Sequence, residues 1–119
     1  MSDTETSAIE ATVLNYLEGI RDGNGERINK AFYSSVNLNS VGEDGSLVLT
    51  PRDALVEYAT GPDIPKNESE ILQIDIVNDM AMVKVRIDMP EYKFFDFLTL
   101  LKLGSGWRIV SKTYTTVRN

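Results

Sequence analysis

Asp96 is the residue of this sequence most suited to chemistry. It stands in Phe94-Phe95-Asp96-Phe97-Leu98, a stretch otherwise made of side chains that avoid water. A carboxyl group in such surroundings is poorly solvated, and desolvation favours its neutral form. A carboxylic acid that stays protonated near neutrality donates a hydrogen bond and can stabilise an oxyanion. If ionised, it serves as a base. Tyr16, on the apolar stripe of the first helix, is its natural companion. These two are the candidate catalytic residues. A plainer reading has Asp96 bonded to Tyr16 or Thr113 merely to satisfy both groups.

A second set could line a cavity. Tyr33 and Tyr58 carry hydroxyls that need partners, and Met89 and Phe94 supply apolar walls. With Tyr16, Asp96 and Thr113 they form the candidate ligand contacts. Phe32 and Trp107 read as core.

Much other chemistry is excluded. The chain has no cysteine and no histidine, so it holds no disulfide, no thiolate nucleophile and no Ser-His-Asp triad. No metal site is expected, because only carboxylates remain as ligands. Glu43, Asp44, Asp88 and Glu91 lack calcium-loop spacing and read as solvated surface. Gly23 and Gly25 flank a helix start without a lysine, so no phosphate loop is present and no cofactor is expected.

The elements that must position these residues follow from local pattern. Ser7 and Glu10 have capping-box spacing, and Ile9, Val13, Tyr16, Leu17 and Ile20 follow as a helical stripe. Asp22-Gly23 ends it. Asn24 caps a short second helix with Ile28, Ala31 and Phe32 on one face. Val36 to Val41 alternates as a strand, Gly42 to Gly45 turns, and Leu47-Val48-Leu49 returns. Thr50-Pro51-Arg52-Asp53 opens a third helix, with Thr50 as cap and Leu55, Tyr58 and Ala59 facing inward. Gly61 to Lys66 is a loop at the lip of a cleft. The second half is a meander: Glu70 to Val77, Met80 to Met89, Tyr92 to Leu103 and Gly106 to Val117, joined at Asn78-Asp79, Pro90-Glu91 and Gly104-Ser105. Helices and a hairpin followed by an antiparallel sheet give an α+β fold.

Uniform two-residue turns fix a register. Ile74 then faces Val83, Leu72 faces Val85, Val85 faces Asp96, Leu98 faces Ser111 and Asp96 faces Thr113. One sheet face collects Leu72, Ile74, Val83, Val85, Phe94, Asp96, Leu98, Trp107 and Ile109, and the helices must cover it. The opposite face mixes Phe95, Phe97, Leu101 and Val110 with Lys84, Arg86, Arg108 and Lys112. The rows Lys84–Phe97–Lys112 and Arg86–Phe95–Tyr114 suit cation–π contacts. This outer face, through Phe95, Phe97, Val110, Lys112 and Tyr114, is the expected homodimer surface. The bland alternative is solvated surface with scattered apolar residues.

The chain's 119 residues, 42% of them hydrophobic and 25% charged, are those of one folded domain. Residues 1–6 are expected to be a disordered tail and 7–119 the domain. The net charge of −6 repels phosphate backbones and anionic membranes, so neither nucleic acid nor membrane is an expected partner. The polar, acidic start lacks the basic and apolar parts of a secretory signal, and a cytoplasmic location is expected.

Tyr16-Leu17-Glu18-Gly19, Lys30-Ala31-Phe32, Phe94 to Lys102 and Gly106 to Tyr114 together resemble the putative lumazine-binding family of the SnoaL-like superfamily. The resemblance implies the nuclear transport factor 2-like, or cystatin-like, cone: three N-terminal helices on a curved antiparallel sheet. That fold is similar to ketosteroid isomerase and scytalone dehydratase, and it also serves non-enzymes. By position Tyr16 resembles the oxyanion-binding tyrosine of the isomerase. The chain departs from the resemblance at two places. Tyr33 stands where family members often carry histidine. The isomerase takes its base from the first strand region, where this chain has Asn37, Asn39 and Ser40.

The expected function is therefore binding of a small, partly apolar organic molecule in the cone, its polar group meeting Tyr16 and Asp96. The alternatives are an isomerase- or dehydratase-type enzyme with Asp96 as acid/base, or a structural dimerisation module.

Overall fold

The computed structural model describes residues 3–119. Helix α1 (Asp3–Asp22) is followed by α2 (Gly25–Ala31), the hairpin β1 (Asn37–Val41) and β2 (Leu47–Pro51), and α3 (Arg52–Ala59). Four long strands complete the chain: β3 (Glu68–Val77), β4 (Met80–Asp88), β5 (Tyr92–Leu103) and β6 (Gly106–Arg118). They form one six-stranded sheet in the order β2-β1-β6-β5-β4-β3. The hairpin joins through a parallel pairing of β1 with β6, Leu38 beside Lys112 and Asn39 beside Thr113. The result is an α+β cone with helices over the concave face.

Helix α1 begins at Asp3, so residues 3–6 are helical and the expected tail does not hold over them; Met1 and Ser2 lie outside the described residues. Ser7 and Glu10 sit inside the helix rather than at its start. The added turn is tied down by Glu5, which accepts from Lys102 Nζ at 2.7 Å and from Trp107 Nε1 at 3.2 Å. Gly23 ends the helix at φ 67°, a left-handed conformation natural to glycine. The side chain of Asn24 caps α2 as expected, accepting from the Arg27 amide at 3.2 Å. Helix α3 starts one residue later than expected, with Pro51 as its cap residue and no side-chain cap bond.

The buried faces of α1 and α2 meet the sheet. Ile9, Val13, Tyr16, Leu17, Ile28, Ala31 and Phe32 pack with Val83, Val85, Ile87, Leu98, Leu100, Trp107 and Ile109. Each large apolar side chain so buried contributes about 1.5–3 kcal/mol.

All three turns of the meander fall where expected: Val77 pairs with Met80, Ile87 with Phe94 and Leu103 with Gly106. Two bulges change the register between them. In β3, Ile71 pairs with Val85 and Gln73 with Lys84, so Leu72 is the extra residue. Ile71, not Leu72, takes the inward place, and Leu72 is exposed. In β6, Leu100 pairs with Ile109 but Thr99 pairs with Ser111, leaving Val110 extra. A bulge inserts one residue and reverses the faces of everything beyond it. Leu98 therefore faces Lys112, and Asp96 faces Tyr114 rather than Thr113. Lys112 and Tyr114, expected on the outer face, turn inward, and Thr113 turns outward. The outer rows become Lys84–Phe97–Thr113 and Arg86–Phe95–Thr115.

Candidate functional site

The β6 bulge brings three polar side chains together inside the cone. Asp96 comes from β5 and Lys112 from β6, both buried. Tyr16 descends from α1 and is fully covered. Its hydroxyl donates to Asp96 Oδ2 at 2.5 Å and accepts from Lys112 Nζ at 2.6 Å. The Lys112 nitrogen lies 3.7 Å from Asp96 Oδ2, so the phenol bridges the two charges. Lys112 Nζ also stands 4.8 Å from the Tyr16 ring centre and 4.9 Å from that of Tyr114. Asp96 Oδ1 is buried with no hydrogen-bond partner among the described residues.

The electrostatics follow from burial. Desolvation raises Asp96 above its ordinary 3.8, opposed by the Lys112 charge and the Tyr16 bond. Desolvation lowers Lys112 from 10.5, opposed by Asp96. The same burial, with the neighbouring carboxylate, lifts Tyr16 well above 10.0, so its hydroxyl keeps its proton. Both members of the acid–base pair are driven towards neutrality, and their titrations are coupled.

A cavity of about 300 Å³ opens beside this cluster. Tyr16 and Ile20 line it from α1, Ala54, Leu55 and Tyr58 from α3, and Leu38 and Thr50 from the hairpin. Ile87, Met89, Phe94, Lys112 and Tyr114 complete the wall. The wall is mostly apolar, and the Lys112 amine is its cationic group. Asp96 is not among the residues that line the cavity and meets it through Tyr16 and Lys112, its two partners.

Of the expected ligand contacts, Tyr16, Tyr58, Met89 and Phe94 do line this cavity. Tyr33 does not; the residue is 50% exposed, and its backbone amide donates to the Ile109 carbonyl. Thr113 also does not, because the bulge puts it on the outer face, in a groove with Phe95 and Phe97. Lys112 and Tyr114 are the contacts that the sequence reading placed on the wrong side. Both bulges fall at adjacent apolar pairs, Ile71-Leu72 and Ile109-Val110. Such a pair breaks period-two alternation, and it was the available signal that the face reverses there.

Among the described residues, no helix is long and apolar enough to cross a membrane. The chain is similar to solved structures across nearly its whole length. An NTF2-like protein of unknown function from Shewanella baltica OS155 is 28% identical, with a TM-score of 0.87 over 98% of this chain and 96% of that one. Another, from Silicibacter pomeroyi DSS-3, is 29% identical, with a TM-score of 0.80 over 98% and 99%. A ketosteroid isomerase-like protein from Erwinia carotovora atroseptica shares the fold at 15% identity, with a TM-score of 0.71 over 97% and 98%. Among curated proteins, Aldolase FrzH of Cladobotryum sp is 26% identical over 117 residues, spanning 96% of this chain and 93% of the relative. A family pattern is matched over residues 4–115, which takes in all four segments that carry the resemblance: the chain belongs to the NTF2-like family described as "Putative lumazine-binding".

Proposed function

We propose that the chain binds a small, partly apolar organic molecule in the cavity between α1, α3 and the inner sheet face. The observation that carries this reading is a single buried amine, Lys112, on an otherwise apolar and aromatic wall. A pocket of that kind buries the body of a ligand and orients it by one polar group. Lys112 Nζ donates to that group, which is best a carbonyl or another uncharged acceptor. Tyr16 and Asp96 hold the amine in place. The test is binding of cyclohexanone and benzaldehyde, read by shifts of the Met89 methyl resonance. Ala54→Trp fills the cavity from the exposed side of α3 and should abolish those shifts with the fold retained. Unchanged binding in that variant would place the ligand elsewhere.

A second reading, an enzyme acting on such a carbonyl compound, is favoured by the likeness to a relative named as an aldolase. Aldol and isomerisation chemistry both remove a proton beside a carbonyl. Asp96 would serve as acid/base, acting through the Tyr16 hydroxyl. Exchange of the α-hydrogens of cyclohexanone in heavy water reports that step. Asp96→Asn should abolish the exchange if the chain is an enzyme, and alter affinity alone if it only binds.

The outer sheet face is the proposed seat of a second copy of the chain. Phe97 is 54% exposed there, with Leu101 also exposed and Phe95 half-buried. Beside them Arg86 pairs with Glu70 and Asp88, so the face carries both signs of charge. A surface with rings, cations and anions interleaved can complement itself across a two-fold axis.

A further inference from the structure

We infer that Lys112 is a nucleophilic amine, which condenses with the carbonyl carbon of an aldehyde or ketone in the cavity to form an imine. This rests on the cavity-binding reading above and specifies the ligand class.

Lys112 is the lysine that the fold buries; Lys30, Lys66 and Lys102 are exposed, and Lys84 and Lys93 half-buried. Lys112 donates to the Tyr16 phenol at 2.6 Å and pairs with Asp96 Oδ2 at 3.7 Å. Lys112 is also one of the residues that line the cavity. The groups that face it are Tyr16 from α1, Asp96 from β5 and Tyr114 on its own strand. Desolvation draws it towards the neutral form, which is the nucleophile in imine formation. Lysine suits this role because its charge yields readily to burial.

The step balances without any further reactant. The Nζ lone pair attacks the carbonyl carbon, a C–N bond forms, and the carbonyl π pair moves to oxygen. Both amine hydrogens end on that oxygen, the C–O bond breaks, and water leaves from a neutral imine. Tyr16 bridges nitrogen and Asp96, so a proton can pass along nitrogen, phenol and carboxyl within hydrogen bonds already formed.

The experiment is reductive trapping of the wild-type chain with benzaldehyde and sodium cyanoborohydride, with modified lysines located by peptide mass spectrometry. Met89 methyl shifts report cavity occupancy in parallel. Lys112→Arg keeps a cation in place but cannot form the imine. The expected result is a benzylated Lys112, formed about tenfold or more faster than adducts at the exposed lysines because the cavity holds the aldehyde beside the amine. In Lys112→Arg labelling should fall to the surface background. Adducts on surface lysines alone, with the Met89 shift present, would overturn the imine and leave the binding reading standing. Absence of both the shift and the Lys112 adduct would overturn both.

Discussion

Lys112 Nζ lies 3.7 Å from Asp96 Oδ2, and their side chains are 6% and 0% exposed. The hydroxyl of Tyr16 bonds to each of them. A buried acid and base linked in this way have two possible states, a charged pair or a neutral pair.

The first prediction concerns the stability of this cluster. Removing one partner leaves the other uncompensated in the interior, which typically costs about 3–5 kcal/mol. Asp96→Asn alone and Lys112→Met alone should each destabilise the chain by an amount near the lower figure, since Tyr16 still bonds to whichever remains. The double variant should lose less than the sum. Urea unfolding of all four proteins gives the coupling directly. Additive losses would mean that the two groups do not interact.

Gly23 carries a different kind of strain. Its φ is 67°, and a Cβ there would come within 2.2 Å of the Gly61 carbonyl oxygen. The Gly61 amide in turn donates to the Gly23 carbonyl at 3.1 Å, tying the end of α1 to the loop after α3. Gly23→Ala should therefore cost about 2 kcal/mol or more, combining the left-handed penalty with a backbone clash. Gly45→Ala is the comparison. Its φ is also positive, at 83°, but nothing lies within 4 Å of its Cβ position. It should lose only the conformational part, and thermal unfolding of the two variants separates the terms.

Asp96 and Lys112 also show what the sequence made legible. The inward position of Asp96 followed from the turn at Pro90-Glu91, because β4 and β5 pair without interruption from Asp88 to Met80. The same arithmetic failed at Lys112, since parity cannot be carried across an inserted residue such as Val110. The helix start failed for a related reason. Ser7 and Glu10 have the spacing of a cap, but Glu5 gains bonds to Lys102 and Trp107 from a distant hairpin, and those tertiary contacts extend α1 by a turn. Local signals located each element. The bonds between elements decided where two of them begin or turn over.

The outer face supplies the third prediction. Phe97 stands in the middle of the face, with Lys84 Nζ 5.9 Å from its ring centre. If a second copy covers it, Phe97→Glu buries a carboxylate against the partner's ring and should yield monomers in sedimentation velocity. Its side chain is 54% exposed in the single chain, so the fold itself should tolerate the change. A wild-type chain that sediments as a monomer, or a variant that still dimerises, counts against this surface.

Burial of Asp96 and Lys112 makes their contribution to stability depend on pH. Asp96 is raised above 3.8 in the folded chain, so between the two values the folded state binds more protons than the unfolded one. Its contribution to stability must fall as pH rises through that window. Lys112 is lowered from 10.5, so at alkaline pH the unfolded state binds the extra proton. There the contribution rises with pH, up to 10.5. The difference in unfolding free energy between wild type and the Asp96→Asn/Lys112→Met double variant isolates the pair from surface carboxylates. Those include Asp22 and Asp44, which are lowered by their hydrogen bonds and act in the acid range. The difference should decline above the carboxylate range, pass through a minimum, and recover towards 10.5. A difference that is flat across the whole range would mean that neither group changes its proton affinity on folding, and the reactive amine inferred for Lys112 would lose its electrostatic support.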